Sequence, residues 1–91
     1  MELTGKVIEV FDAKEKKNFR KREFMMEYQD GAFMRTVLFQ CMGGKAELVD
    51  DLNVGDQVFV KFNIETRKAE AHDGAPVKLW TNCTCWFINK L

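Results

Sequence analysis

The 91 residues are enough for one hydrophobic core and too few for two. A hydrophobic fraction of 46% beside 31% charged residues is that of a folded globular chain and excludes disorder as the main state. With 14 Lys and Arg against 14 Asp and Glu, the formal charge is zero, so attraction to a polyanion or to anionic lipid has to come from where the charges sit.

The opening Met-Glu-Leu-Thr-Gly carries an acid and no apolar core of a signal peptide. No uncharged apolar run approaches the roughly 20 residues that cross a bilayer. The expectation is a cytoplasmic protein with no membrane association. Period-two alternation dominates the chain and predicts strands. The first spans about Glu2 to Phe11, with Leu3, Val7, Ile8 and Val10 as aliphatic positions and Gly5 marking a bulge or bend. Asp12 to Phe19 has no apolar periodicity and reads as a loop. The second strand covers about Arg20 to Gln29, where Phe24, Met26 and Tyr28 are core candidates. Asp30-Gly31 is a turn signal that pairs it with a third strand, about Ala32 to Cys41.

Gly43-Gly44 ends that strand, and Ala46, Val49 and Leu52 recur at helical spacing, predicting one short helix over Lys45 to Leu52. Gln57 to Glu65 alternates cleanly, with Val58, Val60, Phe62 and Ile64 on one face. Thr66 to Val77 contains the only proline and reads as a long exposed loop. Lys78 to Ile88 is the fifth strand. Five antiparallel strands with a helix between the third and fourth, and long connections after the first and fourth, is the order of an all-β OB-fold barrel in a single domain over residues 1–91. A five-stranded SH3-like barrel lacks a helix at that place.

Three stretches then carry a family likeness: Met34-Arg35-Thr36-Val37-Leu38-Phe39, Leu52-Asn53-Val54-Gly55-Asp56-Gln57-Val58-Phe59-Val60, and Thr66-Arg67-Lys68. In this order and spacing, over roughly Ala32 to Lys68, the chain resembles the bacterial single-stranded-DNA-binding protein family. The resemblance implies an OB-fold, homo-oligomeric assembly as a dimer or tetramer, and single-strand binding by aromatic stacking over a basic groove. By position it implies that Phe33 and Phe39 stack on bases and that Arg35, Arg67 and Lys68 lie near the strand path. The chain departs from the family in having Ala69 where an aromatic usually follows the Thr-Arg pair, and in ending three residues after the fifth strand. The family's acidic tail, and the recruitment of partner enzymes by it, are therefore not expected.

Charge placement points the same way independently. Lys14, Lys16, Lys17, Arg20, Lys21 and Arg22 stand against Glu15 alone, a local excess of +5, with Phe19 interleaved as single-strand sites interleave aromatics with cations. Glu47, Asp50, Asp51 and Asp56 gather around the helix, so the neutral total predicts a two-faced field, with a phosphate backbone on the basic side. In the last strand Leu79, Thr81, Cys83, Cys85 and Phe87 share one face; Lys78, Trp80, Asn82, Thr84 and Trp86 share the other. If lysine marks the outside, two tryptophans are exposed, as bases to be stacked on or as a protein contact would require. In the third strand Phe33, Arg35 and Phe39 oppose Met34, Thr36 and Leu38, and the apolar pattern leaves open which set faces inward.

Chemistry of other kinds finds little support. There is no serine, so a Ser-His-Asp arrangement is excluded. A zinc site from Cys41, Cys83, Cys85 and His72 has the wrong ligand spacing, and buried free thiols are the better reading. No cofactor and no metal are expected, and the protein reads as not an enzyme. The sequence predicts sequence-tolerant binding of single-stranded DNA, with RNA a close variant. Phe33, Arg35, Phe39, Trp80 and Trp86 would line the groove, and Lys16, Lys17, Arg20, Lys21, Arg22, Arg67 and Lys68 would meet phosphates beside Phe19. The alternative is a protein-interaction or oligomerisation module that uses the Trp80 and Trp86 face without nucleic acid.

Overall fold

A computed structural model describes residues 1–16, 19–69, 74 and 76–91, with the backbone alone for Lys16 and Phe19. Six strands and one short helix follow in order: β1 (Glu2–Val10), β2 (Lys14–Lys16), β3 (Phe19–Asp30), β4 (Phe33–Met42), a 3₁₀ helix (Gly43–Val49), β5 (Gln57–Ala69) and β6 (Lys78–Lys90). Asp30-Gly31 turns β3 into β4 as its sequence demands. Gly31 has φ of 59°, a left-handed value open to glycine at no steric cost, and Asp30 pairs with Phe33 across the turn.

Five strands close into a barrel in the order β1-β5-β6-β4-β3, returning to β1. β1 belongs to both sides of the closure. Its residues Glu2 to Lys6 pair with β5, while Lys6 to Val10 pair with β3 through a register shift between Val7 and Glu9. Gly5, at the changeover, has no room for a side chain: a Cβ there would collide with the Glu27 backbone carbonyl. Among the described residues, the one parallel pairing joins β4 to β6 at Phe39 and Cys83 and at Gln40 and Thr84. This is an OB-fold, with its helix between the third and fourth barrel strands.

The core is built from the inward-facing residues of every barrel strand. Val7, Phe24, Met26, Phe39, Cys41, Val58, Val60 and Cys85 are wholly buried. The Phe39 ring lies 5.4 Å from that of Phe24 and 4.9 Å from that of Phe62. Ala46, Val49 and Leu52 from the helical segment close one end of the barrel. Among the described residues no polar or charged side chain is buried, and no helix is long and apolar enough to cross a membrane.

Three local readings of the sequence need correction. The basic segment after β1 is not wholly loop, because Lys14 to Lys16 pair with Phe19 to Lys21. The helix is a 3₁₀ helix, starting two residues earlier than its apolar spacing suggests. β5 runs on to Ala69, paired with β6 throughout, so Arg67 and Lys68 stand on a strand and not in a loop. Backbone pairing with β6 settles this, and side-chain chemistry gives little hint of it because both sides of that stretch are exposed.

Candidate functional site

The pairing of β4 with β6 decides which side chains share a surface. Cys83 and Cys85 turn inward on β6, as do Val37, Phe39 and Cys41 on β4. Trp80, Asn82, Thr84 and Trp86 therefore occupy the outer face, next to Thr36, Leu38 and Gln40 of β4 and Asn63, Glu65 and Arg67 of β5. Phe39 is 0% exposed and packed among rings, so the base-stacking role implied for it is overturned: no base reaches it without opening the core. Phe33 and Arg35 share its face of the strand, opposite to the tryptophans. They are exposed only because the β3–β4 hairpin projects beyond the barrel. Phe33 is 67% exposed, and Arg35 sits over its ring at 5.7 Å while donating from Nε to Asp30 Oδ2 at 2.6 Å. The five expected groove residues are thus divided among the outer face, the hairpin arm and the core.

What the outer face does bring together is an aromatic and polar strip. Trp80, 47% exposed, stands directly across from Arg67, and Asn82 from Glu65. Gln40 donates from Nε2 to Thr84 Oγ1 at 3.0 Å, tying β4 to β6 beneath a groove of about 620 Å³ that Lys21, Asn82, Glu65 and Arg67 also line. Further along, the β5–β6 ladder slips. Lys61 pairs with Phe87 and Phe62 with Cys85, leaving Trp86 as an extra residue. Such a bulge breaks the alternation of side chains. Trp86 and Phe87 consequently both face outward, each 41% exposed, and Phe87 does not share the face of Cys85 as alternation predicts.

Lys61 lies over both rings, its Nζ 5.8 Å from the Trp86 centroid and 5.4 Å from that of Phe87. Phe59 meets Phe87 edge-on at 6.4 Å. Cys85 Sγ donates to the Phe87 carbonyl at 3.3 Å, supporting the backbone where the ladder is interrupted. Lys61 and Phe87 were not among the sequence candidates. Lys61 carries a weak signal, as the lysine in the polar set of a clean amphipathic strand; Phe87 carries none, because the bulge is fixed by pairing partners distant in sequence.

The basic segment is less available than its local charge suggests. Arg22 forms an ion pair with Asp50 and donates to the Phe11 carbonyl at 3.2 Å. Arg20 lies 3.6 Å from the same carboxylate and 3.5 Å from Glu15. Lys14 and Lys21 approach Glu23 at 3.7 and 3.9 Å. The expectation of a basic face opposed to an acidic helix is therefore corrected, because Asp50 at the end of the helix folds onto the arginines. Exposed pairs of this kind contribute only about 0–1 kcal/mol each and can exchange partners, but each described cation of the segment has a carboxylate beside it. Lys17, the side chains of Lys16 and Phe19, and His72 lie outside the described residues.

A hollow of about 850 Å³ runs beside the helix and is lined by Glu47, Asp50 and Asp51 against Lys45 and Lys90, a wall that repels phosphate. Near it, the Asn53 N–H at 2.9 Å, and then Lys90 at 3.2 Å, hold the Asp56 carboxyl below the usual carboxylate range. In the core, the hydrogen bond to Cys85 and then burial push the Cys41 thiol far above the usual range. Burial raises that of Cys83 as well. Since the thiolate is the nucleophile and the metal ligand, Cys41 is suited to neither task.

Comparison with known proteins bears on the fold and the family. The model of the family described as "Domain of unknown function (DUF3127)" matches residues 2–89. No curated protein matches the chain in sequence. Among solved structures, mitochondrial single-stranded DNA binding protein Rim1 from S. cerevisiae superposes with a TM-score of 0.75 at 17% identity, covering 100% of this chain and 92% of that one. A deletion mutant of the single-stranded DNA binding protein from Thermus aquaticus gives 0.66 at 20% identity, covering 99% of this chain, which spans only 48% of the other. The protein PriB from Ralstonia solanacearum gives 0.62 at 12%, covering 100% and 96%. At these identities the common property is the OB-fold.

Proposed function

This chain belongs to the DUF3127 family, and we propose that it is a non-catalytic protein that binds single-stranded DNA by stacking bases on aromatic side chains of its outer sheet face. The observation that carries the reading is the placement of Trp80 and Trp86 on one exposed strip of β6, with cations flanking each: Arg67 across from Trp80, and Lys61 over Trp86. Trp86 lies six positions after Trp80, about 20 Å of extended backbone at roughly 3.3 Å per residue. An extended single strand lying along β6 meets both. The likeness of the fold to two single-stranded DNA binding proteins supports the same reading.

Stacking tolerates any sequence because every base has a π face, and it contributes about 1–3 kcal/mol per base by alanine substitution. Trp80→Ala is expected to weaken binding of a labelled single-stranded oligonucleotide by about 5- to 150-fold, the equivalent of that range. Its urea midpoint should stay near that of the parent, since the side chain lies outside the core. Phosphate contacts from Lys61 and Arg67 should give log K against log salt a slope of about −1.4, at roughly −0.7 per contact for a single strand. A duplex of equal length should bind far more weakly. Tryptophan quenching and anisotropy follow all of this, and unaltered affinity in both Trp80→Ala and Trp86→Ala would sink the assignment. Loss of self-association in Trp86→Ala with no single-strand binding by the parent would instead favour an oligomerisation module.

A further inference from the structure

Stacking and phosphate attraction leave one member of the outer strip unaccounted for. Glu65 stands on β5 in the same groove, directly across from Asn82 and one outward position from Arg67. A carboxylate there repels a passing phosphate backbone. We propose, resting on the single-strand reading above, that Glu65 and Asn82 read the hydrogen-bonding edge of a base carrying an exocyclic amino group, so that the site favours cytosine over thymine.

Three features carry this. Directly opposed residues of an antiparallel pair hold their Cβ atoms about 4.5–5.5 Å apart, so the carboxylate and the amide act as one unit in the groove. That unit lies one outward row from Trp80 and Arg67, about 7 Å along the strands. A base stacked on Trp80 turns its edge toward the unit while its phosphate stays with Arg67. Beside the donors Lys21 and Arg67, the groove also holds acceptors. Glu65 only accepts when ionised, and Gln40 has its amide N–H₂ directed to Thr84, leaving its carbonyl oxygen for a ligand. Cytosine meets these acceptors with its N4 amino group, and Asn82 can donate to its O2 or N3. Thymine places a carbonyl oxygen, O4, where cytosine has that amine, and an oxygen facing a carboxylate is repulsive. The two pyrimidines are close in size, so the comparison isolates the edge from the stack.

The test is competition between oligo-dC and oligo-dT of equal length for the intact protein, at one salt concentration and mildly alkaline pH, followed by anisotropy of a labelled strand. The parent is expected to favour oligo-dC by about tenfold, as a good base-edge contact does. Glu65→Gln, which keeps the shape but offers thymine O4 a donor, should bring the ratio close to one, chiefly by tightening oligo-dT. Equal affinity in the parent, a preference for oligo-dT, or a ratio that survives Glu65→Gln overturns the proposal. A purely electrostatic Glu65 gives the last of these results, raising both affinities alike. Binding of neither oligomer overturns the single-strand reading itself and this proposal with it.

Discussion

Phe39→Ala is expected to destabilise the protein by about 3–5 kcal/mol, the range for deleting a buried phenylalanine, and Phe39→Leu by clearly less. The ring is wholly buried and sits between those of Phe24 and Phe62, where strands β3, β4 and β5 meet. Removing it leaves a cavity that three different strands would have to shift to fill. Small domains are stable by about 5–15 kcal/mol, so the alanine variant loses a large share of the total. The leucine variant makes this a test of function as well. If Phe39 belongs to the core, Phe39→Leu binds single strands as the parent does once both are measured folded. If it stacks on bases, Phe39→Leu keeps most of its stability and loses about 1–3 kcal/mol of binding. Urea unfolding and anisotropy on the same preparation separate the two.

That residue also marks the boundary of what sequence reasoning reached. Where one face of a strand is apolar and the other polar, alternation fixes the inward side. Val58, Val60 and Phe62 are buried as the pattern of β5 requires, and so are Phe24 and Met26 of β3. In β4 both faces carry large apolar groups, with Phe33, Val37 and Phe39 against Met34 and Leu38. Local pattern has no means of choosing between them. The choice is made by pairing with β6, where Cys83 lies beside Phe39 and points into the barrel. The family likeness suggested the opposite face for Phe39, and burial corrects it.

The candidate site shows the same division between local and long-range causes. Trp80 and Trp86 could be placed on one face from their six-residue spacing alone, and that face is the outer one. Phe87 joins them only through a bulge created by a slip in pairing between β5 and β6, which brings its ring under Lys61. The described part of the basic run is less free than its local charge suggests for a related reason. Its excess charge was counted over neighbours in sequence, whereas Asp50 and Glu23 reach it through the fold. Beside the tryptophans, positive potential comes from Lys61 and Arg67.

Gly5→Ala is expected to cost about 3 kcal/mol, the upper part of the range for forcing atoms into a packed site. The cause is steric, not conformational, since Gly5 does not hold a left-handed backbone. β1 leaves β5 and joins β3 at Lys6, which pairs with both Gln57 and Glu27, and closing the barrel there brings the two backbones together. An alanine Cβ would overlap the Glu27 carbonyl oxygen and touch Met26 Cγ at 3.1 Å. The carbonyl is backbone in the β3 ladder and cannot swing aside, so either β1 lifts from β3 or the β3–β4 hairpin tilts. Gly44→Ala supplies the control. It lies in the 3₁₀ helix with open space around its would-be Cβ and an ordinary φ. That change is expected to be neutral or slightly stabilising, because alanine narrows the unfolded ensemble. If the two variants have equal urea midpoints, β1 and β3 are not in contact at Gly5 and the barrel is open at that seam. Because the seam lies away from the outer strip of β6, Gly5→Ala should lower stability without changing the affinity of the folded fraction for a single strand.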